Sequence, residues 1–120
     1  IGVRLVGSEM CIRDRVNRME QIRDYDTLSE RITHGQFVLY VMAHGCTVCH
    51  ADLPKVEALL ERFDVDHAKI MINEIPEAAG QLSLYASPVV ILFDNGREFH
   101  RQARIINFEE LEYRMEQFLG

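Results

Sequence analysis

The sequence predicts a single α/β domain in which helices cover both faces of a mostly parallel sheet. Short apolar runs alternate along the chain with helical patterns, which is typical of parallel strands joined by helices. The last two strands are joined by a tight turn and add antiparallel edges to this sheet. A Cys-x-x-Cys pair stands where a buried strand gives way to a helix. Because sites in such sheets lie at the carboxyl ends of strands, that junction is the candidate site.

The 120 residues are enough for one domain with one core. Residues 1–18, which include Cys11, show no sustained period and lack the apolar segment of a signal peptide. They resemble translated linker sequence, and we interpret them as a non-native or disordered extension. The domain is then expected to span residues 19–120.

Charge and cysteine content exclude several classes of function. The net charge is −6, and it becomes −8 when the basic residues 1–18 are left out, which argues against nucleic acid and anionic membranes as partners. No apolar run approaches the roughly 20 residues of a membrane span. Three cysteines do not make a disulfide-stapled secreted scaffold, so we expect a reducing, cytoplasmic compartment. We also expect the protein to be a monomer.

The first part of the domain is predicted to form a strand, a helix and a second strand. Gln21–Arg23 is a candidate edge strand. Thr27 and Glu30 have the spacing of a capping box, and Gly35 follows the helix that they begin. The continuous apolar run 37–43, rich in β-branched and aromatic residues, indicates a central strand buried on both faces.

The middle of the chain predicts two more helices and another inner strand. A helix runs from Cys46 to about Arg62 and contains Pro54, which must remove a backbone hydrogen bond and is expected to produce a kink. The segment 65–72 is predicted to be the next strand. Residues 75–85 then form a short helix, with Pro76 in its first turn, where the missing N–H does no harm.

The end of the chain predicts a hairpin and a final helix. The apolar run 89–93 is the third buried strand, and Asp94-Asn95-Gly96 forms the turn into an edge strand at 97–101. Asn107 caps the last helix, which carries one apolar stripe. The predicted order is β-α-β-α-β-α-β-β-α, with four to five strands in one mixed sheet.

The cysteine pair indicates redox chemistry. Cys46 falls at a helix N-terminus, where unpaired amides and the helix dipole lower a cysteine pKa from about 8.5 toward 7 or below. Cys49 follows one turn later and lies further into the core. The predicted roles are attack on a target disulfide by Cys46 and release of the product by Cys49.

The residues around this pair resemble the thioredoxin family over residues 19–120. The resemblance rests on the strand ending at Met42-Ala43, Cys46-Thr47-Val48-Cys49, Pro54 five residues later, Ala68-Lys69, Ser87-Pro88 and Asn95-Gly96. It implies a thioredoxin fold and a thiol–disulfide oxidoreductase with no bound cofactor. Protein disulfides are the implied substrates, with electrons from a reductase or a small thiol. It also implies a cis bond at Ser87-Pro88, which docks the substrate together with Gly45.

Several residues depart from the family pattern. Gly45 stands where most members have tryptophan, and Thr47-Val48 replaces the usual Gly-Pro. Tyr40 replaces a buried aspartate, although Lys69, the usual neighbour of that aspartate, is retained. Arg104 replaces a glycine beside the substrate groove. These differences favour a specialised thioredoxin-like oxidoreductase, in which Tyr40 and Lys69 are candidate supporting residues.

Other interpretations of the cysteines remain open at this point. His44 and His50 flank the pair and either stabilise the Cys46 thiolate or are ordinary surface residues. Cys-x-x-Cys-His is also the attachment pattern of c-type haem. Zinc binding would pack four ligands into seven residues, which are hard to arrange as a tetrahedron, so no metal is expected. A thioredoxin-fold module that binds a partner or senses oxidants without turnover is a further alternative.

Overall fold

The computed structural model describes residues 19–120, so the predictions for residues 1–18 and for Cys11 lie outside it. Within that range there are four α-helices, four strands and one short 3-10 helix, at Ile72–Glu74. The helices are α1 (Tyr25–Thr33), α2 (Thr47–Phe63), α3 (Pro76–Leu82) and α4 (Phe108–Leu119). The strands are β1 (Gln36–Met42), β2 (Asp66–Met71), β3 (Val89–Asp94) and β4 (Arg97–Ala103).

The four strands form one mixed sheet in the order β2-β1-β3-β4. The predicted mixed sheet is confirmed, but only the β1–β2 pairing is parallel, so the expectation that the sheet is mostly parallel is wrong. The connection from β2 to β3 holds just the 3-10 helix and the seven-residue α3, which do not carry the chain back along the sheet. Because β3 therefore begins at the end where β2 stops, it runs antiparallel to β1.

The central strand β1 separates two hydrophobic cores, as its apolar run predicted. Val38, Tyr40 and Met42 pack on one face with the buried side chains of α2 and α4. Phe37, Leu39 and Val41 pack on the other face with those of α1 and α3. Alternate residues of a strand point to opposite faces, so only an apolar residue at every position fills both cores.

The N-terminal predictions need two corrections. In place of a strand over Gln21–Arg23, the segment forms one isolated parallel bridge between Gln21 and Lys69. Asp24, and not Thr27, caps α1, because its carboxylate accepts hydrogen bonds from both the amide and the hydroxyl of Thr27 at 2.9 Å. The hydroxyl of Thr27 is thereby used as a donor, so the predicted capping box with Glu30 does not form.

Other boundaries follow local chemistry. Helix α3 ends at Leu82, earlier than predicted, because Ser83 adopts a left-handed conformation with φ of 56°. The predicted hairpin turn is confirmed, and both Asn95 and Gly96 have positive φ. The Asn107 side chain accepts from the Glu110 amide at 3.0 Å, which confirms the cap of α4.

Strand β4 forms one edge of the sheet, and its pairing with β3 shifts register between Leu92 and Phe93. Charged residues occupy three of its positions: Arg97, Glu98 and Arg101.

None of the helices in residues 19–120 is long and apolar enough to cross a bilayer.

Candidate active site

The loop before α2 places Cys46 at the helix N-terminus. The chain turns sharply after β1, and the Cys46 amide donates to the Ala43 carbonyl at 3.2 Å. Gly45 lies in this turn with φ of 77°. A Cβ added there would meet no atom within 4 Å, so glycine is favoured by the backbone conformation and not by lack of space.

Cys46 and Cys49 are joined by a disulfide across the first turn of α2. Their Cα atoms are 5.3 Å apart. Cys46 is the N-cap residue and is partly accessible, whereas Cys49 is fully buried in the core shared by β1, α2 and α4. The two sulfurs therefore differ in access, as the sequence predicted, and only Cys46 can be approached from outside.

The backbone around Cys46 favours negative charge on its sulfur. The Cys49 amide donates to the Cys46 Sγ at 3.2 Å. The unpaired N–H groups and the dipole of the 17-residue α2 act at the same point. We therefore expect the Cys46 sulfur to be the one that carries negative charge after reduction, since Cys49 is fully buried.

Tyr40 contacts the backbone of the cysteine pair from the hydrophobic core. Its hydroxyl donates to the Cys49 carbonyl at 2.8 Å, and its side chain is fully buried. Burial, and then the negative charge of Asp52, raise the pKa of Tyr40 well above its ordinary value. Tyr40 is consequently a permanent hydrogen-bond donor at neutral pH and not a base. Lys69 is its register partner on β2 and is half-buried.

Both histidines flank the pair at exposed positions. The His44 amide donates to the Asn73 side chain at 2.8 Å, and its Nε2 lies 4.0 Å from a Glu74 carboxylate oxygen. The His50 amide donates to the Cys46 carbonyl at 3.3 Å as part of the helix. Within residues 19–120 neither imidazole hydrogen-bonds to a cysteine sulfur, so the supporting role of the histidines stays a prediction.

The Ser87-Pro88 bond is cis, as the resemblance implied. Pro88 directly precedes β3, whose first residue, Val89, pairs with Val41 near the end of β1. The register thus brings Ser87-Pro88 to the same end of the sheet as the dithiol. The Pro88 carbonyl accepts from the Arg104 amide at 2.7 Å, which joins the chain after β4 to this loop.

Two residues near the site carry features that the sequence did not reveal. Arg104 has φ of 72°, a backbone conformation that glycine adopts without strain and that agrees with the glycine implied here by the resemblance. Asp52 is the acidic neighbour of the Tyr40 hydroxyl. Its only sequence signal was its place three residues after Cys49, on the same side of the helix.

The alternatives involving a metal find no support in the geometry. Within the described part of the chain, no group of three or more His, Cys, Asp or Glu side chains could hold a metal ion. The sulfurs of Cys46 and Cys49 are bonded to each other. This arrangement is that of a dithiol–disulfide pair.

The mixed sheet, the N-capping cysteine and the cis proline define the class of thiol–disulfide oxidoreductases with a thioredoxin fold. The chain is 39% identical to the thioredoxin-like protein YdfQ of Bacillus subtilis over 83 residues, 68% of this chain and 74% of that protein. It is 28% identical to the thioredoxin of Chlamydia trachomatis over 94 residues, 78% of this chain and 92% of that protein. The chain belongs to the thioredoxin family. No family model matches it.

Solved structures agree with this assignment. Thioredoxin 1 of Thermosipho africanus superposes with a TM-score of 0.65 at 31% identity, over 69% of this chain and 93% of that one. A mutant thioredoxin from Halobacterium salinarum gives a TM-score of 0.76 at 20% identity, over 84% of this chain and 90% of that one. At that identity the second likeness concerns the fold alone.

Proposed function

We propose that the protein is a protein-disulfide oxidoreductase in which Cys46 is the nucleophile and Cys49 the resolving thiol. The observation that carries this proposal is the bond between a partly accessible N-cap cysteine and a fully buried partner one turn later. The difference in access supports these two roles. A substrate sulfur can reach Cys46, and only Cys46 can reach Cys49.

The reaction is a two-electron exchange. The Cys46 thiolate attacks one sulfur of a substrate disulfide, which forms a mixed disulfide and expels the other substrate sulfur as a thiolate. Cys49, after losing its proton, attacks the Cys46 Sγ, which closes the intramolecular disulfide and releases the reduced substrate. The oxidised protein then needs two electrons from a reductase or a small thiol. A reducing compartment such as the cytoplasm supplies these donors. The domain of residues 19–120 acts as a monomer in this reaction.

The substrate docks beside Ser87-Pro88. This segment lies at the same end of the sheet as Cys46, and its backbone precedes a strand that is already paired on both sides. The exposed Gly45 leaves the approach to Cys46 open, since no side chain projects from the residue before it. His44 and His50, which flank the cysteine pair, and Lys69, the register partner of Tyr40, are the candidate supporting residues.

Turnover of a disulfide-bonded protein with a small thiol as donor tests the proposal. Cys46→Ser should abolish turnover, while Cys49→Ser should accumulate a mixed disulfide visible on a non-reducing gel. Cys11→Ser is the matched control and should retain full turnover. Unchanged turnover in Cys46→Ser would contradict the enzyme assignment and favour a module that binds or senses without turnover.

A further inference from the structure

The segment after β4 has an unusual backbone conformation. It lies at the end of the sheet that also holds Ser87-Pro88 and the cysteine pair. The Ile105 amide donates to the Ala103 carbonyl at 2.9 Å across Arg104, whose φ is 72°. This is a γ-turn with a positive central φ, a rare and strained conformation for a residue other than glycine. Strain of this kind persists only where the surroundings hold it, and here the Arg104 amide is bound to the Pro88 carbonyl.

The strand register locates this turn relative to the dithiol. Val89 pairs with Val41 of β1 on one side and with Ala103 of β4 on the other. With two strand spacings of nearly 5 Å each, the backbone of Arg104 lies about 10 Å from the end of β1. A long arginine side chain at that distance can contact a polypeptide that is seated against Ser87-Pro88.

The Arg104 guanidinium is available to a substrate. The side chain is exposed, and Arg104 takes part in none of the ion pairs formed within residues 19–120. Arg101, by contrast, binds the Glu98 carboxylate and the carbonyls of Leu82 and Ser83. An arginine left without an acidic partner in a chain of net charge −6 is a local site for a carboxylate.

Exposed apolar side chains border the same region. Ile105 and Tyr85 are each 84% exposed, and Val48, between the two cysteines, is 52% exposed. They lie on the three segments that meet at this end of the sheet. A surface that combines such side chains with one cation fits an extended polypeptide better than a small, wholly polar disulfide.

We propose that Arg104, held in the γ-turn beside Pro88, selects polypeptide disulfides that carry an aspartate or glutamate close to the attacked cysteine. The inference rests on the proposed function and adds the substrate class. The carboxylate pairs with the guanidinium while the neighbouring apolar residues of the substrate cover Ile105 and Tyr85. Arg104 acts on substrate binding and not on the sulfur exchange itself.

The test is a series of disulfide-bonded peptides that differ only by Glu, Gln or Lys within two positions of one cysteine. The wild-type protein should give a kcat/KM about fivefold higher for the best Glu peptide than for its Gln counterpart, the ratio expected of one exposed ion pair. Arg104→Gln, whose side chain is neutral but equally strained, should bring this ratio close to one. Arg104→Gly should do the same without the strain, and Arg97→Gln, at the other end of β4, should keep the wild-type ratio.

Each outcome decides between defined alternatives. A Glu-to-Gln ratio that is the same in Arg104→Gln, Arg104→Gly and wild type overturns the selectivity. If the Arg104 variants lose turnover of glutathione disulfide but of none of the peptides, polypeptides are not the substrate class that Arg104 selects. Wild-type turnover of the Gln peptide tests the proposed function separately, and no turnover of any peptide overturns both proposals.

Discussion

The hydroxyl of Tyr40 donates a hydrogen bond to the carbonyl of Cys49 at 2.8 Å, which ties the central strand to the first turns of α2. The resemblance to the thioredoxin family implies a carboxylate at this position. Here the same space holds a neutral phenol, because burial and Asp52 raise the pKa of Tyr40. In the proposed reaction the proton of Cys49 therefore leaves by a route other than the Tyr40 side chain.

Tyr40→Phe should lower the free energy of unfolding by about 1 kcal/mol at neutral pH, since it removes one buried hydrogen bond. The raised pKa adds a pH dependence. The contribution of the protonated phenol is complete below pH 10, the ordinary value, and is lost as the pH rises toward the folded-state pKa. Urea unfolding at pH 7 and above pH 10 checks both effects. Tyr85→Phe at an exposed position is the control, and an equal pH slope in Tyr40→Phe and wild type would contradict the prediction.

Tyr40→Asp should speed the release of the mixed disulfide, because it restores a carboxylate that can take the proton of Cys49. We expect a gain of about tenfold, less than the 10²–10⁴ of a fully positioned base. Acid-quenched time points of the mixed disulfide give the rate. Tyr40→Asn separates the base from the change in shape, and equal rates for Asp and Asn would rule out a missing base as the limit.

Gly45→Ala should destabilise the protein by about 1 kcal/mol, because a Cβ is strained at φ of 77° even though it meets no other atom. Gly80→Ala, in the middle of α3, is the opposite case. Its Cβ also meets nothing, and alanine should there raise stability by about 0.5–1 kcal/mol. Thermal unfolding of both variants is the measurement. A stabilising Gly45→Ala would show that the turn relaxes.

His100 should make the fold sensitive to acid. Burial and the positive charge of Arg114 lower its pKa, against the smaller opposing effects of Glu110 and Glu98. Its contribution is therefore complete above pH 6.5, the ordinary value, and is lost as the pH falls through the folded-state pKa. Melting temperatures between pH 7.5 and pH 5 should fall less in His100→Gln than in wild type. His50→Gln changes an exposed histidine and is the comparison; parallel curves for His100→Gln and wild type would refute the assignment.

The sequence predicted those features that are coded locally. The apolar run through Phe37 and Met42 is fully buried on both faces, and the spacing of Cys46 and Cys49 is that of a pair that closes on one helical turn. Features that depend on chain reversal or on contacts distant in sequence were not accessible. The antiparallel direction of β3 arises because the short α3 does not return the chain to the start of the parallel strands. The periodicity of the sequence does not indicate how far along the sheet a connecting helix extends.

The same limit applies within the site. Nothing in the sequence indicates that the Tyr40 hydroxyl ends at the Cys49 carbonyl, since both partners could have packed elsewhere in the same core. The γ-turn at Arg104 was also hidden, because arginine is a poor predictor of positive φ. The departures from the family pattern identified these positions, and only the structure explains them.

The unequal edges of the sheet have a consequence for self-association. The outer side of β2 is partly occupied, because the Ile22 amide donates to the Lys69 carbonyl at 2.9 Å and the Lys69 amide donates to the Glu20 carbonyl at 2.8 Å. The outer side of β4 has no such cover within residues 19–120. Protection against edge-to-edge stacking of copies therefore falls on β4 itself, whose charged side chains and shifted register make it a poor template for another strand.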